Sequence, residues 1–363
     1  MSRYKVCVYA ICKNEEKFVD RWMDAVDEAD IVVVLDTGST DSTVEKLRSR
    51  GARVYQEIVT PWRFDTARNI AMSHIPEDVD ICVSNDLDEV FEPGWRKALE
   101  AAWEPETTYA RYLFVWNHRA DGSAEQQFPM EKIHRRKHFR WVHPVHEILQ
   151  YDGPDPHSVP WVDGMVLHHY PDATKARSQY LPLLELSAEE NPEDGRTIFW
   201  LGREYMYYGM NDECISTLND YLRLPAATWD VERCAAMRFI SRSYQAKGEG
   251  MQAEVWLYRA VAECPQSREP FYAMAILAYL RKDWSLVMSM VEKTLAITDD
   301  VSGYLRDEVC WGASPHDLGA IACYWLGLYE RSRDYAATAL EIEPDDQRLA
   351  DNLRLAVEKL ETE

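Results

Sequence analysis

Residues 82 to 89 read Cys-Val-Ser-Asn-Asp-Leu-Asp-Glu, an apolar run that ends in three carboxylates. Side chains alternate along an extended segment, so Asp86 and Asp88 point to one side. Two carboxylates on one side repel each other unless a cation stands between them. Oxygen ligands favour Mg2+ or Mn2+. Such an ion bridges a diphosphate and offsets the charge that develops on a leaving group. The bland alternative is a solvated acidic turn ahead of a helix near Pro93. A second loop, Leu35-Asp36-Thr37-Gly38-Ser39-Thr40-Asp41-Ser42-Thr43, follows a buried strand and opens a helix. Gly38 allows a tight turn, and the hydroxyl and acidic residues cap the helix. That leaves Asp36, at the strand tip, to accept a hydrogen bond from a base or ribose.

The elements that must position these groups alternate between strand and helix. Lys5–Ile11, Ile31–Leu35, Ala52–Gln56 and Asp80–Ser84 read as strands. Glu15–Glu28, Ser42–Arg50 and Phe64–His74 read as helices, with Asn14 as N-cap of the first and Gly51 closing the second. This order predicts an α/β domain with a mostly parallel sheet. Binding loops in such sheets lie beyond the carboxyl ends of the strands. Here those loops are Cys12–Glu15, Asp36–Asp41 and Asn85–Glu89. After the proline-rich run Asp152–Gly164 the pattern becomes helical only. Leu201-Gly202-x-x-Tyr205 and Ile240-Ser241-x-x-Tyr244 carry the core of a tetratricopeptide repeat, and Met274-Ala275-x-x-Ala278 follows in register 34 residues on. Ala336-x-x-Ala339-Leu340 and Pro344 close the last unit. The expected division is residues 1–172 for the α/β domain and 173–363 for an all-α tetratricopeptide-like domain.

The 363-residue chain carries a formal charge of −22. An acidic surface repels polyphosphate at long range, which disfavours extended nucleic-acid binding. An anionic ligand then needs local positive charge, and Arg63, Arg68 and the run Arg135-Arg136-Lys137 are the candidates. The eight cysteines are irregularly spaced, without a Cys-x-x-Cys pair, and fall in apolar patterns. They read as small hydrophobes, not as a disulfide framework or zinc site. No run approaches the roughly 20 apolar residues of a membrane span. The apolar run Val6–Cys12 is strand-length and fits no signal peptide. A cytoplasmic location is the default expectation.

Four segments together resemble the family 2 glycosyltransferases, whose single nucleotide-sugar domain has the GT-A fold. They are Ala10-Ile11-Cys12-Lys13-Asn14-Glu15-Glu16, the Leu35–Thr43 loop, Phe64-Asp65-Thr66-Ala67-Arg68-Asn69 and Asp86-Leu87-Asp88-Glu89. The resemblance covers roughly residues 4–172. The whole chain looks like the subgroup with tetratricopeptide repeats after the transferase domain, which includes peptide S-glycosyltransferases that modify bacteriocins. The resemblance implies a UDP-sugar donor and a Mn2+ or Mg2+ cofactor. It implies that Asp36, Arg68, Asn14 and Glu15 line the nucleotide-sugar. Asp86 would reach ribose or a metal-bound water, and Asp88 would bind the metal. His169 would complete the metal site, with His168 as the alternative.

The segment Trp141-Val142-His143-Pro144-Val145-His146-Glu147 resembles the Val-His-Glu stretch of the same subgroup. Inverting transfer needs one general base to deprotonate the acceptor. Glu147 is the first candidate and His146 the second. Pairing of Glu147 with Arg135, Arg136 or Arg140 is the structural alternative. Trp62 and Trp141 are candidates for stacking on a sugar or base, or for the core. The expected function is inverting transfer of a hexose from a UDP-sugar to a peptide, protein, glycan or small-molecule acceptor. The repeat domain either presents the acceptor or pairs two protomers as a homodimer. The competing readings are a non-catalytic repeat-based binding module and a phage-type nucleic-acid base glycosyltransferase.

Overall fold

The computed structural model describes residues 3–119, 121–172 and 180–362. The first unit begins β1 (Val6–Cys12), α1 (Val19–Ala25), β2 (Ile31–Asp36), α2 (Thr43–Ser49), β3 (Arg53–Gln56), α3 (Phe64–Ser73) and β4 (Ile81–Ser84). It continues β5 (Glu89–Phe91), α4 (Trp95–Ala102), β6 (Tyr109–His118), β7 (Ala124–Arg135), β8 (Phe139–Val142), β9 (Ile148–Tyr151), β10 (Trp161–His169) and α5 (Tyr180–Glu190). Eight strands form one sheet in the order β3-β2-β1-β4-β7-β6-β10-β5, and β8 and β9 form a separate hairpin.

The predicted strands are all present, and β3, β2, β1 and β4 run parallel. Beyond β4 the sheet is mixed rather than mostly parallel. β7 is antiparallel to both β4 and β6, and the short edge strand β5 is antiparallel to β10. The cause is the short β6–β7 connection, where Arg119 N–H donates to Ser123 O at 2.9 Å. A connection that short only returns a strand antiparallel. β10 starts inside the proline-rich run and lies parallel to β6.

β1 is buried on both faces, which is why it reads as continuous rather than alternating apolar sequence. Val6, Val8 and Ala10 pack with Trp22, Leu47, Trp95 and Leu99 on one side. Cys7 and Tyr9 pack with Leu35, Ala67, Ala71 and Trp141 on the other. The first helix is shorter than expected. It starts at Val19, and Asn14 is no N-cap, since its backbone is left-handed at φ 56°. Asn14 serves a loop instead. Its N–H donates to Ser39 Oγ and its side-chain oxygen accepts from Thr40 N–H, each at 2.8 Å. The loops after β1 and β2 are thereby stitched together.

The second unit stacks antiparallel helix pairs. They are α6 (Gly195–Tyr207) with α7 (Asn211–Arg223), α8 (Asp230–Ala246) with α9 (Gly250–Glu263), α10 (Arg268–Leu280) with α11 (Trp284–Ala296), and α12 (Ser314–Trp325) with α13 (Tyr329–Ile342). α14 (Gln347–Thr362) ends the array. Gly202 is required by close approach, because a Cβ there would lie 2.4 Å from Leu218 Cδ2. Ala253 and Ala260 are fully buried in the same way. The connection from α11 to α12 is longer than those between the earlier pairs. Residues 297–313 carry two short 3-10 turns, and buried Glu269 anchors this insertion by accepting from Ser302 Oγ at 2.9 Å. The second unit is thus a tetratricopeptide-like helical repeat region.

The compact units divide as Met1–Ser187 and Ala188–Glu363, within α5. The boundary expected at 172/173 opens on residues 173–179, which lie outside the described residues. All eight cysteines are buried and none is in a disulfide. No helix among the described residues is long and apolar enough to cross a membrane.

Candidate functional site

Parallel β1, β2 and β4 are neighbours, so the loops that follow them meet at one end of the sheet. Arg68, on α3, reaches this end and is 5% exposed. Its Nη1 and Nη2 donate to Asp86 Oδ1 and Oδ2 at 2.8 and 2.9 Å, a bidentate fork. Its Nε donates to Glu147 Oε1 at 2.5 Å, and Nη1 reaches Ser84 Oγ at 3.3 Å. The guanidinium carbon lies 5.0 Å from the centre of the Trp141 ring. Burial alone would lower the Arg68 pKa, but Asp86 and Glu147 outweigh it and hold it well above the usual value. Burial alone would raise the Asp86 carboxyl, and Arg68 and Lys132 reverse that and hold it well below the usual carboxylate range.

The acidic turn is fastened from within. Glu89 Oε2 accepts the Asp86 N–H at 2.9 Å, and Lys132 Nζ donates to Glu89 Oε1 at 2.8 Å. The Asn85 side chain accepts from Trp22 Nε1 at 2.5 Å. Asp88 looks elsewhere. β5 and β10 pair Glu89 with His169, which brings the adjacent Asp88 against the end of β10. Tyr170 N–H donates to Asp88 O at 2.8 Å, and His169 Nε2 lies 3.5 Å from Asp88 Oδ2. His169 Nδ1 contacts Trp116 O at 3.1 Å. A carbonyl only accepts, so Nδ1 carries a proton. Nε2 in the neutral ring is then a lone pair aimed at a carboxylate, and a proton or a cation must stand between them. Burial would lower the His169 pKa, and Asp88 overrides it and raises it.

The metal set expected from sequence, Asp86, Asp88 and His169, is not assembled as three. Among the described residues no three His, Cys, Asp or Glu side chains gather to hold an ion. Asp86 is turned to Arg68 and Lys132, whereas Asp88 and His169 face each other. That pair fits one divalent ion, because the Trp116 carbonyl fixes the orientation of the imidazole, as carbonyls behind ligating histidines do in metal sites. His168 points to the other side of β10, as alternation requires. Its Nε2 meets Glu92 Oε1 and its Nδ1 meets His118 Nε2, each at 2.9 Å.

Asp36 is fully buried and serves its own loop. It accepts from Ser39 N–H at 3.1 Å, from Gly38 N–H at 3.3 Å and from Gln56 Nε2 at 3.4 Å. The base or ribose contact expected of it is not presented in this conformation. Glu15 N–H donates to Thr43 Oγ1 at 2.8 Å in the same stitched loops. Glu147 pairs with Arg68, and not with Arg135, Arg136 or Arg140. Its side chain is 11% exposed. An ion-paired carboxylate is a weak general base, so its geometry favours a positioning role. His146, at the tip of the β8–β9 hairpin with φ 51°, has its ring 5.8 Å from that of Tyr180. Three of the other basic candidates are engaged, Arg63 with Asp65 at 2.8 Å, Arg135 with Asp155 at 2.7 Å and Arg136 with Ile75 O at 3.0 Å, and Lys137 is exposed.

Trp141 is core, 3% exposed, and joins a buried chain. Its Nε1 donates to Tyr9 Oη at 2.8 Å, and Tyr9 meets His134 Nε2 at 2.9 Å. His134 Nδ1 meets Arg135 O at 2.7 Å, so it donates there and Tyr9 donates to Nε2. Asn69 bolts the β8–β9 hairpin to α3, accepting Trp141 N–H and donating to Trp141 O, both at 2.9 Å. Burial pushes His134 down to about 4 from an ordinary 6.5. The unfolded chain takes up this proton near 6.5 and the folded chain only near 4. Stability is therefore full above 6.5 and falls as pH drops toward 4, by about 3 kcal/mol in all. Urea unfolding at pH 7.5 and 4.5 measures this, and His134→Gln is expected to flatten the difference.

Lys132 and Trp116 carry roles that no sequence motif announces. The available signal was a lone lysine inside a strand, between Met130 and His134.

No family model matches the chain. Among solved structures it is similar to the APC/C hetero-tetramer Cut9-Hcn1, at 16% identity over 50% of this chain and 33% of that chain, with TM-score 0.40. It spans about a third of that protein's length. MamA is similar at 19% identity over 48% of this chain and 96% of that one, with TM-score 0.38. A thermophilic TPR protein in Thermus thermophilus is similar at 19% identity over 50% and 90%, with TM-score 0.36. The helix pairs and their 34-residue register define the repeat region independently of these likenesses.

Proposed function

We propose that the chain is a metal-dependent inverting glycosyltransferase with a GT-A domain, moving a hexose from a UDP-sugar to a peptide, protein, glycan or small-molecule acceptor. One observation carries this reading. His169 turns Nε2 toward the Asp88 carboxylate at 3.5 Å, with a proton or a cation needed between them, at the strand ends where the loops after β1, β2 and β4 meet. Asp88 and His169 would hold a Mn2+ or Mg2+ ion, which supplies positive charge against the diphosphate as it leaves. Arg68 keeps Asp86 ionised and in place. Glu147 acts through Arg68 as a positioning residue, which leaves His146 as the remaining candidate base. The β1 and β2 loops, through Asn14, Glu15 and the Asp36-braced turn, form the nucleotide side.

The repeat region exposes Tyr207 at 63% and Trp325 at 62%. Such surface suits capture of a peptide or protein acceptor, or pairing with a second copy.

A thermal-shift screen of UDP-sugars with and without Mn2+ tests the reading. One UDP-sugar is expected to raise Tm by several degrees, and only with Mn2+. Ligand at a hundred times Kd adds about 2.7 kcal/mol. No shift with any UDP-sugar in the presence of metal rejects the transferase reading and leaves the binding-module one. Binding to DNA at moderate salt instead points to a nucleic-acid acceptor.

A further inference from the structure

In the second unit the first helices of successive pairs, α6, α8, α10 and α12, pack on one another more closely than the second helices do, and so line the inner face of the stack. On α6 that face carries Arg196, Trp200, Arg203 and Tyr207, which recur at helical spacing along one stripe. The Arg203 guanidinium carbon lies 3.8 Å from the centre of the Trp200 ring and 5.6 Å from that of Tyr207. On α8 the stripe continues with Arg238 and Arg242, one turn apart. They lie between two packed sides of that helix. On one side Phe239 meets Phe199 of α6, with ring centres 6.0 Å apart, and on the other Ser241 Oγ donates to Ala253 O of α9 at 2.8 Å. Arg242 is exposed and Arg238 half-buried. Among the described residues neither side chain makes an ion pair or hydrogen bond, and Arg238 Nε is buried without an acceptor. The glutamates at the N-terminal ends of α8 and α10 are taken by hydroxyl and N–H donors. Glu232 accepts from Tyr221 Oη at 2.7 Å and Tyr304 Oη at 2.6 Å, and Glu269 from Ser302 Oγ at 2.9 Å and Trp311 Nε1 at 3.4 Å.

We propose that this inner face of α6 and α8 captures an acidic peptide segment, with its carboxylates on Arg238 and Arg242 and its apolar side chains on Trp200 and Tyr207. The chain has 62 acidic residues against 40 lysines and arginines. Two adjacent arginines that find no carboxylate in so acidic a protein present their charge to a carboxylate from outside. A guanidinium takes a carboxylate through two parallel N–H donors, which gives geometry as well as attraction. A buried donor without a partner is costly, and a bound carboxylate would satisfy it. Nucleic acid fits less well, since its run of phosphates would meet the acidic remainder of the surface. Capture rests on the helix pairs alone. That the segment belongs to the acceptor of the transfer rests on the transferase reading.

The test is fluorescence anisotropy of a short labelled Glu/Leu peptide with the full chain, in the absence of UDP-sugar and metal. A Lys/Leu peptide and a single-stranded DNA oligomer of the same length run beside it. The Glu/Leu peptide is expected to bind, the Lys/Leu peptide not, and binding is expected to weaken as salt rises. Arg238→Ala with Arg242→Ala is expected to weaken it about 100-fold, in line with the loss of two charge-assisted hydrogen bonds. Arg242→Glu changes an exposed position only, so it keeps the test open if the alanine pair does not fold, and it is expected to weaken binding at least as much as Arg242→Ala. Equal binding by the parent and a folded variant overturns the proposal. So does a parent that does not bind the Glu/Leu peptide at millimolar concentration, or one that binds the DNA oligomer more tightly. A parent dimer that Arg242→Glu splits also overturns it, and assigns the face to a second copy of the chain. A protein that transfers no sugar yet binds the peptide counts against the transferase reading and not against capture.

Discussion

Arg68→Met is expected to destabilise the first unit by about 3–5 kcal/mol, the cost of stripping one partner from a buried ion pair. Methionine follows much of the arginine stem but leaves Glu147 without its Arg68 partner and Asp86 with Lys132 alone. Burial then acts on Asp86 against Lys132 alone, so its carboxyl is expected to rise from its depressed value. Protonation relieves the strain, so the deficit is expected to shrink as pH falls from 7 to 5. In the parent Asp86, held low by Arg68, adds stability above the ordinary carboxylate pKa that is lost in acid. Urea unfolding at the two pH values, with hydrogen exchange of α3 and β4, measures both effects. Neutralising the orphans, as in Arg68→Met with Asp86→Asn and Glu147→Gln, is expected to recover much of the loss. A single variant as stable as the parent at pH 7 would mean that the network is ornamental.

Asp88→Asn carries the largest expected effect on activity. Metal-dependent hydrolysis of the UDP-sugar is expected to fall about 100-fold, in line with losing a ligand or charge stabiliser at a reacting group. Metal-free Tm is expected to change little, because the Asp88 side chain is 26% exposed and the ion pair it makes is with His169. A second readout is independent of turnover. Asp88 is the strongest of the groups that raise His169 against its burial, so the variant is expected to lower the His169 pKa, with Glu89 and the Trp116 carbonyl still raising it. NMR titration of the His169 ring reports it. Full retention of hydrolysis in a folded Asp88→Asn protein removes the metal role.

The two variants separate groups that look alike in the sequence. Asp86 and Asp88 are two residues apart and nominally on one side, yet Asp86 is bound to Arg68 and Asp88 to His169. Alternation failed here because β4 ends at Ser84, so the triplet lies in a turn and not on a strand. The β5 edge strand then starts at Glu89 and hands Asp88 to β10.

Much of the frame follows from local sequence. β-branched and apolar runs alternating with helix-period segments dictate β1 to β4 and the helices between them, and the 34-residue repeat of small residues dictates the helix pairs. Both are matters of backbone periodicity and short-range packing, which neighbours along the chain decide. They also place Cys12–Glu15, Asp36–Asp41 and Asn85–Glu89 at one end of the sheet. The partners of the charged groups were decided elsewhere. Glu147 reaches Arg68 because Asn69 bolts the β8–β9 hairpin to α3. Lys132 reaches Glu89 because β7 returns beside β4, and His169 rather than His168 meets Asp88 because of the side of β10 it occupies. Asp36, a plausible ligand contact in the sequence, is buried against its own loop. Long charged side chains take whichever counter-charge the fold brings within about 3 Å, and strands far apart in sequence supply it. Only the tertiary structure could settle those pairings.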